Sequence, residues 1–333
     1  MNKVGFTTTI PLEILIAAQK IPVDLNNIFI AHAAQSDLLK HAEIDGFPRS
    51  MCSWVKGIYA VVLQGEISEV IAVTQGDCSN TQALMETLAF KGIPTIPFFY
   101  PYDRDVELLS HSLNKLMQHY SVSSEKCLQA KRELDRIRKK VHLIDERTWK
   151  ENTVSGHENH YFQVCTSDMN QNCEIFESEL DSFLSVLESR TPFHEDIRLG
   201  YIGVPPIFSD LYTFIESLQG RVVFNETQRQ FSMPNPASSL LEQYLNYTYP
   251  YDIFSRITDI QSEVSRRKID GLIHYVQSFC FRQIEDTILK KTLQLPILTI
   301  EGDQPSPLDS RTRMKIEVFI ELLNSKKMKG KAS

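Results

Sequence analysis

Three of the six cysteines in this 333-residue chain stand in similar places in the sequence. Cys78 lies in QGDCSN after the apolar run VIAVT, and Cys280 lies in QSFCFR after the apolar run GLIHY. Cys52 lies in FPRSMCSW, where Pro48 and Ser50 indicate that a helix is about to begin. In open α/β sheets, ligands bind at the carboxyl ends of the strands, so thiols in such loops can converge there. A helix N-terminus also lowers the pKa of a thiol and favours the metal-binding thiolate.

The spacing of these thiols leaves two interpretations open. Three ligands spread over roughly 230 residues differ from a zinc ribbon, which uses paired Cys-x-x-Cys knuckles. Thiolates suit iron–sulfur clusters or zinc, and three protein ligands leave one metal position open for catalysis. The other interpretation is that these residues are small buried hydrophobes, because free cysteine is among the most buried residue types. Spacing alone favours this second interpretation.

The other three cysteines and two nearby histidines have structural interpretations. Cys127 falls on the apolar side of a predicted helix, Cys165 is predicted to end a strand, and Cys173 follows a polar loop. His157 and His160 lack the His-Glu-x-x-His spacing that places two histidines on one helix face, so a polar loop is predicted there. The sequence contains no P-loop, GxGxxG or GxSxG motif.

Short apolar runs alternate with amphipathic stretches along most of the chain. This alternation is typical of βα units, and it predicts an α/β fold with two Rossmann-like or flavodoxin-like parallel-sheet domains. The stretch at about 106–190 is predicted to be a helical insertion, with helices at Ser123–Val141 and Glu174–Leu187. We therefore predict an N-terminal α/β domain at residues 1–195, including the insertion, and a C-terminal α/β domain at residues 196–333.

Individual strands and helices follow from the same pattern. The predicted strands are Val70–Thr74, Ile93–Phe99, Arg198–Gly203, one starting at Val222–Phe224, Gly271–Tyr275 and Pro296–Ile300, and further helices are predicted near Asn80–Phe90, Ser209–Leu218, from about Phe281, and at Arg311–Leu323. The prolines of Ile93–Phe99 favour an edge strand or a strand end. Gly220 is predicted to end the helix before it in a left-handed conformation.

The overall composition argues against nucleic-acid and membrane partners. The 35 Lys and Arg residues stand against 42 acidic residues, so the net charge is −7, whereas phosphate binding needs clustered cations. The apolar N-terminal stretch is interrupted by Pro11 and Glu13, and we expect no signal peptide. No run approaches the ~20 apolar residues of a membrane span. A cytoplasmic location with reduced thiols is therefore expected.

The segments around the three cysteines resemble those of the 2-hydroxyacyl-CoA dehydratase component D family, which includes benzoyl-CoA reductase subunits. The likeness covers nearly the whole chain. It is carried by GFTTTIPLEILIAAQKIPVDL, SMCSWVKG, GDCSNTQALMETL, VSGHENHYFQVCTSD, RLGYIGVPPIFSDLYTFIESLQGRVVFNE, GLIHYVQSFCFRQIEDTILKK, LPILTIEGD and SRTRMKIEVFIELL. The resemblance implies that Cys52, Cys78 and Cys280 hold a [4Fe–4S] cluster in a cleft between two α/β domains.

The resemblance also implies a hydro-lyase reaction, the radical elimination of water from a 2-hydroxyacyl-CoA thioester. A separate ATP-hydrolysing iron–sulfur activator supplies one low-potential electron, and a ketyl radical forms at the thioester carbonyl. The radical expels the α-hydroxyl group and loses a β-proton, and the electron is then returned. The implied partners are this activator, the acyl-CoA substrate and a related second subunit in a heterodimer, with a homodimer as the alternative. An open cluster further implies an anaerobic host.

Several residues near the cysteines are candidates for supporting roles. Arg49 and Ser50 adjoin Cys52 and are predicted to donate hydrogen bonds near the cluster or the substrate. Arg282, beside Cys280, is predicted to face either the cleft or solvent. The charged residues of the family-like EGD…RTR segment are Glu301, Asp303, Arg311 and Arg313. For this last group we favour a structural role, in which the acidic turn pairs with the arginines of the final helix.

Departures from the family pattern leave two other functions open. The usual Cys-Asp pair appears here as Cys78-Ser79 and Cys280-Phe281, which changes the polarity beside the metal. Double-cubane reductases need additional cysteines near the first two ligands, and this chain has none there. One alternative is a benzoyl-CoA reductase-type subunit that reduces an acyl-CoA or another small molecule. The other is a non-catalytic iron–sulfur subunit that transfers electrons or supports a partner.

Overall fold

The computed structural model describes residues 2–331, with side chains up to residue 329. Met1 and residues 332–333, at the ends of the two predicted domains, lie outside the described residues. The chain forms two units, each assembled from several stretches. The first unit contains the chain up to Lys140 together with Val164–Leu180 and Gln230–Asp252, and the second contains Val141–Gln163, Asp181–Arg229 and the chain from Ile253 onward.

The described chain alternates strands with helices. The strands are β1 (Lys3–Phe6), β2 (Ile21–Asp24), β3 (Ile67–Gln75), β4 (Thr95–Phe99), β5 (Ile197–Gly203), β6 (Gly220–Asn225), β7 (Gly271–Gln277) and β8 (Ile297–Gly302). The α-helices are α1 (Leu12–Ala17), α2 (Leu25–Ala31), α3 (Gln35–Ile44), α4 (Ser53–Gln64), α5 (Thr81–Phe90), α6 (Val106–His119), α7 (Ser124–Trp149), α8 (Gly156–Cys165), α9 (Cys173–Leu187), α10 (Leu211–Ser217), α11 (Glu226–Phe231), α12 (Leu240–Asn246), α13 (Ile253–Arg267), α14 (Asp286–Thr292) and α15 (Ser310–Lys331). Short 3-10 turns occupy Met169–Gln171 and Phe281–Glu285.

Each unit contains one four-stranded sheet, and both sheets are entirely parallel. The strand orders are β2-β1-β3-β4 and β6-β5-β7-β8, so the second sheet repeats the order of the first. The α/β class with two parallel-sheet domains is confirmed. In both sheets the second strand lies on one side of the first strand, and the third and fourth strands lie on the other side. This reversal creates a topological switch point between β1 and β3, and another between β5 and β7.

The cores of both sheets consist of apolar strands that are covered by helices. Val70–Val73 of β3 and Leu272–Tyr275 of β7 are buried without alternation, as expected for parallel strands that are covered on both faces. β4 is an edge strand, in agreement with the prediction from its prolines. The stretch between β4 and β5 is helical, because α6 to α9 all fall within it.

Several local predictions are wrong. Cys165 ends helix α8 and not a strand, and His157 and His160 lie in the same helix and not in a polar loop. Gly220 begins β6, and the left-handed position before that strand is occupied by Gln219, whose φ is 61°. The helix that was expected from Phe281 begins as a 3-10 turn and becomes α-helical only at Asp286.

Candidate functional site

Cys78 lies in a tight turn at the end of β3. Gly76 has φ +96°, and a Cβ atom at this position would lie 2.9 Å from the Cβ atoms of both Tyr100 and Pro250. The carbonyl of Cys78 accepts a hydrogen bond from the Thr81 N–H at 3.0 Å, and its Sγ accepts one from the Asn80 N–H at 3.4 Å. The turn therefore places a partly exposed thiol at the start of α5, with a main-chain donor next to the sulfur.

Cys52 is the N-cap residue of α4, and its carbonyl accepts the Lys56 N–H at 3.2 Å. Its loop connects α3 to α4, so Cys52 follows a helix and not a strand, unlike Cys78 and Cys280. The loop is fastened by Lys56, whose buried ammonium group lies 2.8 Å from Glu43 Oε1 and also donates to the Arg49 carbonyl. Because α4 is the crossover helix into the parallel strand β3, its N-terminus lies toward the carboxyl edge of that sheet.

Arg49 and Ser50 are exposed neighbours of Cys52. The side chain of Arg49 is 95% exposed, and its Nε lies 3.9 Å from Glu43 Oε2. Within residues 2–329, this long surface ion pair is the one that the guanidinium forms, and such a pair is worth little and leaves the side chain able to reorient. The predicted role of both residues in hydrogen bonding to a cluster or substrate stays a prediction.

Cys280 lies in a strained turn at the end of β7. Phe279 has φ +66°, a left-handed conformation that costs a non-glycine residue roughly 1–3 kcal/mol unless its surroundings enforce it. The enforcing contacts are the Ser278 N–H to the Gly302 carbonyl at 2.8 Å and the Cys280 N–H to the Gln277 carbonyl at 3.0 Å. The carbonyl of Cys280 then accepts the Gln283 N–H at 3.2 Å and starts the 3-10 turn.

The acidic EGD segment fastens this turn to the end of β8. Ser278 Oγ donates to Glu301 Oε1 at 2.7 Å, and Gln277 Nε2 donates to the Asp303 carbonyl at 2.8 Å. The predicted pairing of this segment with the arginines of α15 is wrong, because Arg313 forms its ion pair with Asp210. The backbone N–H of Arg311 donates to Asp309 within its own turn. Glu301 and Asp303 therefore position the Cys280 turn.

A buried arginine, which the sequence did not reveal, holds the segment after Cys280. Arg256 of α13 lies 2.6 Å from Glu226 Oε1 and also pairs with Glu285 at the end of the 3-10 turn. Arg282, largely buried, donates to the same Glu285 at 3.1 Å. Burial disfavours the charge on Glu226, but the guanidinium of Arg256 holds its pKa below the usual value. The only sequence signal for this residue was an arginine among the apolar positions of an amphipathic helix.

Cys78 and Cys280 occupy equivalent positions in the two sheets. Each follows the third strand of its sheet, and each stands three residues beyond the last residue of that strand, Gln75 or Gln277. Both turns therefore lie beside a switch point, where α/β sheets bind their ligands. Cys52 and Cys78 belong to the first unit and Cys280 to the second. No three His, Cys, Asp or Glu side chains within residues 2–329 are close enough together to hold a metal ion, so the ligand set stays a prediction.

The model of the family described as 2-hydroxyglutaryl-CoA dehydratase, D-component, matches residues 7–323. The chain belongs to this family. The dehydratase family indicates a lyase-type role, and its component designation implies a partner component. The matched range includes all three candidate cysteines. A search among curated proteins finds no match. Within residues 2–331, no helix combines the length and the apolar character needed to cross a membrane.

The D-component match does not alter the structural interpretation of Cys127 and Cys173. Cys127 is buried in α7, and burial together with the nearby charge of Glu13 raises its pKa to about 11. Burial likewise raises the pKa of Cys173 to about 11. Cys165 is buried at the end of α8. The raised pKa values of Cys127 and Cys173 keep these two thiols protonated near neutral pH, and protonated thiols are poor metal ligands.

Proposed function

We propose that this chain is the iron–sulfur component of a 2-hydroxyacyl-CoA dehydratase-like enzyme. The observation that carries the proposal is the equivalent position of Cys78 and Cys280 beside the two switch points, in a chain of the D-component family. We propose Cys52, Cys78 and Cys280 as the ligands of a [4Fe–4S] cluster, because three soft sulfur donors fit iron–sulfur ligation. When bound, such a cluster supplies one-electron chemistry and an iron that can accept a substrate oxygen.

The residues of this chain would hold and tune that site. The Asn80 N–H that donates to Cys78 Sγ would stabilise negative charge on the sulfur, and such hydrogen bonds raise cluster potentials. The start of α4 would add the positive end of a twelve-residue helix at Cys52. Phe279 and Phe281 flank Cys280. Phe281 stands at the position where the family usually has an aspartate, so an apolar ring replaces a carboxylate beside the sulfur. Arg49 and Ser50, both exposed, are proposed to donate hydrogen bonds near the cluster or the substrate.

The reaction we propose is the elimination of water from a 2-hydroxyacyl-CoA, after activation by a separate ATP-hydrolysing iron–sulfur protein. The test combines the anaerobically purified chain and its co-purifying partner with such an activator, ATP and a panel of 2-hydroxyacyl-CoA thioesters. We expect enoyl-CoA to form only when ATP and activator are present, with many turnovers per activation because the elimination consumes no net electrons.

Two other results would contradict this proposal and support its alternatives. Stoichiometric consumption of reductant with reduction of an aromatic or other acyl-CoA would identify a reductase subunit of the benzoyl-CoA reductase type. An iron-loaded chain that exchanges electrons with the activator, but supports no thioester turnover in any pairing, would identify a non-catalytic electron-transfer or partner subunit.

A further inference from the structure

An arginine without an acidic partner lies at the carboxyl edge of the first sheet. Arg104 belongs to the turn after the edge strand β4, and its N–H donates to the Pro101 carbonyl at 3.0 Å. Its φ is +58°, so the turn holds a non-glycine residue in the left-handed region. The guanidinium carbon stands 4.8 Å from the centroid of the Tyr251 ring, close enough for a cation–π interaction.

The acidic residues on either side of Arg104 are engaged elsewhere. Asp103 Oδ1 accepts the Asp105 N–H at 3.3 Å, and Asp105 Oδ1 accepts the Leu108 N–H at 2.8 Å, where it caps α6. Among residues 2–329, no carboxylate oxygen lies within 4.0 Å of the Arg104 guanidinium, and its buried Nε has no hydrogen-bond acceptor. Among the described side chains, this cationic group therefore has no acidic counterion.

Arg104 and the turn that carries Cys78 rest on the same aromatic surface. The ring of Tyr251 packs edge-on against Tyr100, with centroids 6.0 Å apart. Tyr100 also packs against the Cys78 turn, because its Cβ atom would lie 2.9 Å from a Cβ atom on Gly76. Gly76 stands two residues before Cys78. The unpaired guanidinium and the candidate ligand thus lie on one edge of one sheet, joined through a few packed rings.

We propose that Arg104 binds an anionic group of the acyl-CoA substrate. A planar guanidinium with no acidic partner matches the paired oxygens of a carboxylate or phosphate. In this substrate class the anion is either a carboxylate at the end of a dicarboxylic acyl chain or a phosphate of coenzyme A. The inference rests on the proposed function, because only that function supplies an acyl-CoA ligand.

The test is direct binding, which needs no turnover. Dissociation constants of glutaryl-CoA and butyryl-CoA, neither of which carries a 2-hydroxyl group, are measured by calorimetry for the chain with its partner. The variants are R104Q, the charge-preserving R104K, and R132Q as a control that removes an exposed arginine from α7. We expect R104Q to weaken binding about tenfold or more, R104K to keep part of the affinity, and R132Q to change nothing.

Comparing glutaryl-CoA with butyryl-CoA shows whether Arg104 binds the acyl carboxylate or a phosphate of coenzyme A. A loss confined to glutaryl-CoA identifies the acyl carboxylate, and an equal loss for both thioesters identifies a phosphate of coenzyme A. Unchanged affinity of R104Q for both ligands overturns the assignment of Arg104 and leaves the proposed function standing. If the parent protein binds neither thioester, the proposed function itself fails.

Discussion

A position can require glycine because its backbone is left-handed or because neighbouring atoms leave no room for a Cβ atom, and two glycines of this chain distinguish these reasons. Gly76 and Gly46 have φ values of +96° and +109°, which favour glycine, but only Gly76 also lies against neighbouring atoms. A Cβ on Gly46 would meet nothing within 4 Å, whereas one on Gly76 would meet Tyr100 and Pro250. The turn that carries Cys78 therefore depends both on a left-handed backbone and on close packing.

We expect Gly76→Ala to destabilise the protein clearly more than Gly46→Ala. Each alanine incurs roughly 1–3 kcal/mol of backbone strain, and overpacking at position 76 adds about 1–3 kcal/mol. Urea unfolding of both variants measures the difference. Equal free energies of unfolding for the two variants would show that the packing around Gly76 yields, and that it does not fix the Cys78 turn.

Asp168 is a buried carboxyl group that fastens an unusual turn to the end of β2. Met169, Asn170 and Gln171 have φ values of 52°, 51° and 63°, so three consecutive residues are left-handed. Asp168 Oδ1 accepts the Asn170 N–H and its Oδ2 accepts the Asp24 N–H, both at 3.0 Å. Burial and the neighbouring charge of Asp24 raise the pKa of Asp168 to about 7.

This raised pKa predicts that stability falls as the pH rises. The folded protein binds the Asp168 proton more tightly than the unfolded chain, so the contribution is complete below about pH 4 and is lost as the pH approaches 7. Relative to the parent protein, Asp168→Asn should therefore gain about 1–4 kcal/mol of unfolding free energy between pH 5 and pH 8. This gain adds to a cost that does not vary with pH, because the amide nitrogen of asparagine cannot accept one of the two N–H groups. Asp37→Asn, on the exposed face of α3, is the control. A stability difference for Asp168→Asn that does not vary between pH 5 and pH 8 would contradict the assignment.

Among the secondary-structure elements, the segment after β7 is positioned by a few buried ion pairs. The 3-10 turn after Cys280 has only five residues, so its position depends on contacts with other elements. Arg256 of α13 makes these contacts, because it pairs with Glu226 at the start of α11 and with Glu285 at the end of the turn.

We expect Arg256→Met to destabilise the protein by about 3–5 kcal/mol, because it leaves the buried Glu226 charged and unpaired. Arg266→Met is the matched control, since Arg266 lies on the same helix with a half-exposed guanidinium that pairs with Glu263 at 3.1 Å. Its loss should cost less than about 1 kcal/mol, because Arg266 is half exposed and the buried Glu263 keeps its second ion pair, with Arg267. The double variant R256M/E226Q should recover part of the loss. Equal effects of the two arginine substitutions in urea unfolding would contradict the role given to Arg256.

Elements with long buried runs were predictable, and short ambiguous segments were not. VIAVT and GLIHY indicated the central strands because parallel strands buried on both faces have continuous apolar sequences. FQVC, by contrast, is a short apolar run that fits a buried strand or a helix equally, and it forms the end of α8. The pairing of Arg256 with residues about 30 positions away depends on tertiary structure, which local sequence patterns do not encode.

At the scale of the molecule, residues 2–331 contain two sheets with the same strand order, although the sequence shows no internal repeat. Strand order follows from the handedness and length of the crossovers, so two sequences without detectable similarity can share it. The repetition gives Cys78 and Cys280 equivalent positions, which the sequence indicated only as a shared place after an apolar run. Cys52 was placed correctly before a helix, but the helix that precedes its loop was not anticipated.

Cys52, Cys78 and Cys280 are proposed to bind one iron–sulfur cluster together, and the iron content of the protein is the measurement that decides this. Anaerobically purified protein should be brown with about four irons per chain. Cys52→Ser, Cys78→Ser and Cys280→Ser should each lose the cluster, whereas Cys127→Ser, which alters a buried thiol of α7, should keep it. Chemical iron analysis with Mössbauer spectroscopy measures both the amount and the cluster type. A colourless parent protein would show that the chain binds no cluster, and an intact cluster in the Cys78→Ser variant would show that Cys78 is not a ligand.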